Sequence, residues 1–206
     1  MADLTLYWST RSPFVRKVMV AAHELGVAAR IRTVPTLVAA TAPNMEHLAV
    51  NPLGRIPTLV LADGTALYES QAIIEYLNEY ARGWLVPPNG APRMQAMRWH
   101  ALGTGLLDVL VAWNSERNRS FSHQVAMAGF EAKTKATLDL LERESARLRG
   151  TDFNLGHIAV GCALGYLDFR FQPQHWREGR PGLAAFAANF DARPSAIATK
   201  PFDDRK

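Results

Sequence analysis

Asn51-Pro52-Leu53-Gly54-Arg55-Ile56-Pro57-Thr58-Leu59-Val60, followed nine residues later by Glu69-Ser70, is the stretch that decides the fold. A turn signal over residues 51–54 leads into Ile56-Pro57, and a short apolar strand follows. Proline has no amide hydrogen and sits poorly inside a strand, so Pro57 marks a strand's first residue or a special turn. X-Pro bonds are the only ones that adopt cis cheaply. A cis Pro57 turns Ile56 so that its backbone N–H and C=O face outward, free to pair with an extended peptide. A loop-to-strand junction with an ordinary trans proline is the competing reading.

Downstream, Asp63-Gly64 is a strong hairpin signal between strands over residues 58–61 and 66–68. Ser70 is read as the cap of a helix running to about Tyr80. Upstream, Leu4, Leu6 and Trp8 alternate with Thr5 and Tyr7, the pattern of a strand. The loop Ser9-Thr10-Arg11-Ser12 follows, then a helix over residues 13–25. Ser12 is a favoured N-cap, Pro13 suits the first helical position and Gly26 is a stop. A second strand is expected over residues 29–34. Residues 35–50 are ambiguous and read as a loop with a short helix near residues 45–50.

Gly83, Pro87, Pro88, Gly90 and Pro92 make residues 82–91 the linker between a first domain, residues 1–81, and a second, residues 92–206. Everything after the linker reads as helix. Met94, Met97, Ala101, Leu102, Leu106, Val109, Leu110 and Trp113 form one apolar stripe; Phe130, Leu138, Leu141 and Leu148 form another. Gly103 and Gly105 lower helix propensity and are read as marking the close approach of another helix. Residues 154–171 form a mostly apolar, central helix, and residues 181–190 a further one.

Composition narrows the function classes. Of the 206 residues 48% are hydrophobic and 20% charged, which supports a sizeable core and argues against disorder. No apolar run approaches the ~18 residues of a membrane span. The N-terminus begins as a strand, without a secretory segment, so a cytoplasmic protein is expected. The net charge of +4 is scattered, and Arg117-Asn118-Arg119 is too short for a nucleic-acid footprint. The single cysteine, Cys162, lies in an apolar run and is read as a small buried hydrophobe. No His pair has ligand spacing, so no metal is expected.

The Ile-Pro turn with Glu-Ser beyond it resembles the glutathione-binding half of the glutathione S-transferases. The order strand-helix-strand, helix, hairpin, helix is the thioredoxin-like order of that family, and the helical second half matches too. Residues 161–170, Arg180-Pro181-Gly182-Leu183 and Arg193-Pro194-Ser195 look like bacterial members related to the theta, tau and zeta branches. The resemblance implies an α/β thioredoxin-like domain with a mixed four-stranded sheet, followed by an all-α domain. One departure is visible. The family's central helix often begins with Ser/Thr-x-x-Asp, whereas Asn154 and His157 stand here, and His157 is a poor partner for the reciprocal capping bond.

The resemblance also implies a chemistry. A free thiol with pKa ~8.5 is only a few per cent thiolate near pH 7. Lowering it by ~2 units requires ~2.7 kcal/mol of preferential thiolate stabilisation. A hydroxyl donor supplies ~1.5–3 kcal/mol and a helix N-terminus ~0.3–1 kcal/mol. Ser12, before Pro13-Phe14-Val15-Arg16, resembles the serine of the tau-type motif and is the catalytic candidate. Ser9 is the alternative, because it aligns with the zeta branch's first motif serine; Tyr7 is a weaker one. A plain N-cap is the competing role for Ser12. Ile56 and Pro57 would hold the cysteinyl unit of glutathione. Glu69 and Ser70 would hold the γ-glutamyl end, with Phe14 and Arg55 adjoining. His47 is the one candidate within residues 35–50 for the glycine carboxylate. A hydrophobic electrophile would meet Phe14, Leu106, Leu110 and Trp113, residues that equally suit core packing.

Two functional readings follow. The first is a glutathione transferase, a detoxification enzyme with glutathione as co-substrate. The second is a glutathione-binding or protein-interaction member of the fold with little transferase activity. Resemblance and the small-residue face at Gly103 and Gly105 point to a homodimer.

Overall fold

The computed structural model describes residues 3–39, 42–172 and 175–203; Met1, Ala2 and residues 204–206, at the outer edges of the expected domains, lie outside them. The first strand, β1 (Leu4–Trp8), buries Leu4 and Leu6 and leaves Thr5 and Tyr7 half-exposed, as period-two alternation requires. Helix α1 (Pro13–Glu24) starts where expected. The Ser12 Oγ accepts the Val15 amide at 3.3 Å, and Pro13 occupies the first turn. Gly26, at φ 71°, ends it in a conformation a side chain disfavours. A 3₁₀ turn (Ala28–Arg30) leads into β2 (Ile31–Pro35), and α2 (Met45–Leu48) settles the ambiguous segment as one short helical turn capped by Asn44.

The hairpin is β3 (Thr58–Val60) and β4 (Ala66–Tyr68), turning through Gly64 at φ 87°. Helix α3 (Ser70–Tyr80) follows directly. The sheet order is β2-β1-β3-β4, with β1 and β2 parallel and the other neighbours antiparallel, which is the expected mixed four-stranded sheet. Tyr7 pairs with Thr58, and Thr58 with Tyr68. The end of β1, the start of β3 and the end of β4 therefore lie side by side at one edge of the sheet.

The second unit is helical among the described residues: α4 (Gly90–Arg117), α5 (Gln124–Arg143), α6 (Ser145–Arg149), α7 (Leu155–Arg170), α8 (Pro181–Asp191) and α9 (Pro194–Ala198). The two compact units are the chain through Val86 with the segment from Ala198, and Pro87–Ile197. Helix α4 thus begins inside the stretch read as a linker, and the final segment groups with the first unit, where the Thr10 hydroxyl donates to the Phe202 carbonyl at 3.0 Å.

The apolar residues that form one stripe in the sequence of α4 lie on two of its faces. Its buried face is Ala96, Trp99, His100, Gly103, Leu106, Leu107, Leu110 and Trp113, whereas Met94 is 69% exposed and Ala101 also faces solvent. The two glycines also differ. A Cβ on Gly103 would lie 2.5 Å from the Ala159 carbonyl carbon and 2.6 Å from the Val160 nitrogen, so α4 and α7 touch backbone to backbone there. A Cβ on Gly105 would meet nothing within 4 Å.

Helix α7 is central, with twelve of its sixteen residues buried, Cys162 among them. Its cap corrects the reading of His157. The Asn154 amide donates to His157 Nδ1 at 3.2 Å, and the Asn154 Oδ1 accepts from Gly156 N at 2.9 Å, completing a capping box. Imidazole serves because its other nitrogen, Nε2, donates to the Leu148 carbonyl at 2.8 Å, which leaves Nδ1 as the acceptor. Burial lowers the His157 pKa, favouring this neutral form.

Candidate functional site

The edge of the sheet where Tyr7, Thr58 and Tyr68 lie abreast is where three separated sequence motifs leave the ladder. Ser9 and Ser12 follow β1, Ile56-Pro57 precedes β3, and Glu69-Ser70 follows β4. Helices α1 and α3 both begin here, so the positive ends of two helix dipoles share this edge. The arrangement suits a ligand carrying negative charge.

The Ile56-Pro57 bond is cis. Ile56 precedes the first paired residue, Thr58, and so stands outside the ladder, with its side chain buried. The turn before it is held at one atom. The Arg55 carbonyl oxygen accepts from His47 Nε2 at 2.9 Å, from Asn51 Nδ2 at 2.9 Å and from the Thr58 hydroxyl at 3.0 Å. Asn51 Nδ2 also donates to Thr58 Oγ1 at 2.9 Å, while its Oδ1 accepts the Leu53 amide at 3.0 Å. These three side chains are buried, so the peptide leading into the cis bond is anchored from within. His47 is 2% exposed and engaged with this carbonyl, so it supports the turn instead of standing open to a carboxylate. The Arg55 side chain is exposed; its backbone carbonyl carries the structural role.

Ser12 and Ser9 are both half-buried. Ser12 Oγ accepts from Val15 N at 3.3 Å, and Ser9 Oγ accepts from Arg11 N at 3.3 Å. A hydroxyl that accepts through a lone pair keeps its hydrogen for donation, so capping and donation to an anion are compatible at either serine. Ser12 alone stands at the N-terminus of α1. Phe14, half-buried, lies in the first turn of the same helix.

The start of α3 differs from the expectation. Ser70 does not cap the helix; it is its first residue, and Glu69 takes the cap position without a side-chain capping bond. Glu69 is exposed and has φ 65°, ψ 127°, a conformation that costs a non-glycine residue on the order of 1–3 kcal/mol. The Ser70 Oγ accepts from Lys17 Nζ at 3.0 Å, and both side chains are buried. Lys17 was not singled out from the sequence. Its signal was its place in the helix period: Pro13, Lys17 and Ala21 fall at four-residue spacing and all are buried.

Leu106, Leu110 and Trp113, read as lining a second-substrate pocket, are 2%, 0% and 4% exposed. The Trp113 ring packs against Phe171 with centroids 4.9 Å apart. They take the packing role and offer a ligand almost no surface. Leu106 also borders a groove of about 510 Å³ between α4 and α5, lined as well by Ala101, Leu102, Gly105 and Val109. Among the described residues no cluster of His, Cys, Asp and Glu could hold a metal, and no helix is long and apolar enough to cross a membrane.

Comparisons with known proteins agree with this architecture. The model of the glutathione S-transferase N-terminal domain matches residues 11–80, and that of the C-terminal domain matches residues 124–189. The uncharacterized GST-like protein YibF of Escherichia coli K12 is 29% identical, over 96% of this chain and 98% of its own length. A crystal structure of a glutathione transferase family member from Pseudomonas fluorescens Pf-5, with bound glutathione, superposes with a TM-score of 0.94. It is 36% identical and covers 98% of this chain and 100% of its own. A glutathione S-transferase from Methylobacillus flagellatus KT with glutathione bound gives 0.86 at 33% identity, covering 97% and 100%. With the Ile-Pro turn, the Glu-Ser helix start and the helical second unit in the same order along the whole length, the chain belongs to the glutathione S-transferase family.

Proposed function

We propose that the protein is a serine-type glutathione transferase. In this reading the Ser12 hydroxyl donates to the glutathione thiolate, and the sulfur bonds to the electrophilic carbon of a hydrophobic second substrate as its leaving group departs with the bonding pair, a halide ion in the case of an aryl halide. The observation that carries the reading is the shared sheet edge. Register aligns Tyr7, Thr58 and Tyr68, the strand ends that the Ser12 loop leaves, the Ile56-Pro57 turn enters and the Glu69-Ser70 helix start follows, and helix N-termini favour an anion. The cysteinyl unit pairs with the Ile56 backbone, the Ser70 hydroxyl and first-turn amides of α3 receive the γ-glutamyl α-carboxylate, and Glu69 accepts from its ammonium. Glutathione bound in the Pseudomonas and Methylobacillus relatives supports the choice of ligand. A cytoplasmic location belongs to the same reading.

A homodimer belongs to the same proposal. Its support is the α4–α5 groove, where a Cβ on Gly105 would meet nothing of the same chain within 4 Å and Ala101 is exposed. Sedimentation at micromolar concentration is expected to return twice the mass of the chain.

The test of the enzyme reading is retention on immobilised glutathione, followed by conjugation of a general aryl halide at pH 7 and pH 9. Ser12→Ala is expected to lower the rate at pH 7 by roughly tenfold or more, the value of one charge-assisted hydrogen bond. The loss shrinks at pH 9, where bulk thiolate replaces the missing activation. Loss with Ser9→Ala and not with Ser12→Ala moves the donor to Ser9. Retention without conjugation by the unaltered protein overturns the transferase and leaves a glutathione-binding member of the fold.

A further inference from the structure

Lys17 is the one lysine among the buried polar residues of the described chain, with no exposed surface at all. It lies on the face of α1 that also buries Val18 and Ala21. Its Nζ donates to the Ser70 hydroxyl oxygen at 3.0 Å and sits 5.9 Å from the centre of the Phe14 ring. Lysine is almost never fully buried, because its charge loses hydration that the interior seldom replaces. An apolar residue of similar volume at such a position often serves stability as well or better. Packing alone therefore does not account for a lysine here.

The hydrogen bond has a direction. An ammonium has donors and no lone pair, so the Ser70 oxygen must accept, and the hydroxyl hydrogen is turned away from Lys17. A hydroxyl that accepts from a cation is polarised into a stronger donor on its other side. Ser70 opens α3, whose first-turn amides point to the same sheet edge. We infer that Lys17 is a positioning residue that orients and strengthens the Ser70 hydroxyl as a donor to the α-carboxylate of the γ-glutamyl group. The inference rests on the glutathione reading above. In it, the ammonium acts on the carboxylate through Ser70 without touching the ligand. The specificity it confers is for an amino-acid-type carboxylate at that end of the peptide.

The test is calorimetric titration of the full chain with two ligands, glutathione and 4-aminobutyryl-cysteinylglycine, which lacks only the γ-glutamyl carboxylate. The unaltered protein is expected to prefer glutathione by about tenfold or more. Lys17→Met should remove most of that preference while moving the affinity for the decarboxylated analogue less than about twofold. Lys17→Gln, which keeps a donor toward Ser70 without the charge, should retain an intermediate preference; it carries the comparison if the methionine variant does not fold. Lys17→Met combined with Ser70→Ala should be no worse than Ser70→Ala alone, because one acts through the other. Equal losses for both ligands, or an unchanged preference, overturn the inference and leave Lys17 a structural residue. No binding of glutathione by the unaltered protein overturns the glutathione reading itself. Equal binding of both ligands by the unaltered protein removes the Ser70–carboxylate contact, and the role of Lys17 with it.

Discussion

Alanine at Gly103 and at Gly105 should act in opposite directions, although both glycines lie in one helix two residues apart. At Gly103 the added methyl would approach backbone atoms of Ala159 and Val160 at 2.5 and 2.6 Å, where ordinary contact begins near 3.4 Å. Neither atom can rotate away, since both belong to the central helix. The helices must separate or bend, at a typical overpacking cost of ~1–3 kcal/mol and occasionally more. The gain in helix propensity offsets ~1 kcal/mol of that. The net loss is then up to ~2 kcal/mol, and more if the helices resist separation; at ~2–4 °C per kcal/mol for a chain of this size, Tm drops by several degrees. A Cβ on Gly105 would meet nothing of the same chain within 4 Å, so in the monomer, at low protein concentration, only the propensity term acts, and a gain of up to ~1 kcal/mol is expected. Thermal melts of the two variants beside the unaltered protein, at a fixed protein concentration, measure the pair. A stabilising Gly103→Ala would falsify the close contact of α4 with α7. A Gly105→Ala that destabilises more at high than at low protein concentration would place the partner of the proposed homodimer over the groove.

Three further outcomes follow from single residues. Asn51→Ala removes donors to the Arg55 carbonyl and Thr58 hydroxyl and an acceptor for Leu53. At ~1 kcal/mol each this costs ~2–4 kcal/mol in denaturant unfolding, with glutathione affinity falling alongside; a loss below ~0.5 kcal/mol is incompatible with the anchored turn. Ser70→Ala deprives the buried Lys17 ammonium of an acceptor, and should lower stability by ~1–3 kcal/mol and weaken glutathione binding together. Ser70→Asp gives Lys17 a charged acceptor and should spare stability while repelling the carboxylate; unchanged affinity in the aspartate variant separates Ser70 from the site. His157 is bonded in its neutral form, and burial lowers its pKa. Its contribution to stability is complete above the ordinary histidine value of ~6.5 and declines as pH falls below that toward the lowered folded value. His157→Gln, which can accept from Asn154 and donate to Leu148 without titrating, should flatten that acid-side decline in melts from pH 7.5 to 5. An identical decline in both proteins assigns it to other groups.

The local signals in the chain determined the element order. Ser12-Pro13 and Gly26 bracket α1, Asp63-Gly64 turns the hairpin and Pro57 opens β3, because caps, tight turns and proline geometry depend on a few neighbouring residues. They also brought out the motifs of the glutathione-binding half, each carried by contiguous residues. Long-range pairing is invisible to such signals, and only the tertiary structure decided what depends on it. Lys17 and Ser70 are 53 positions apart, and neither alone reveals the other. His157 suits a capping box only because the Leu148 carbonyl, nine residues earlier, accepts from its other ring nitrogen. Gly103 and Gly105 are alike in sequence and differ because α7 passes one of them and not the other. On α4, apolar residues on two faces gave one stripe in the sequence, and burial separated them into a packed face and an exposed one. Periodicity tells which residues share a face, but which face meets a neighbour is set by the other helices, whose placement minimises exposed apolar area across the unit as a whole.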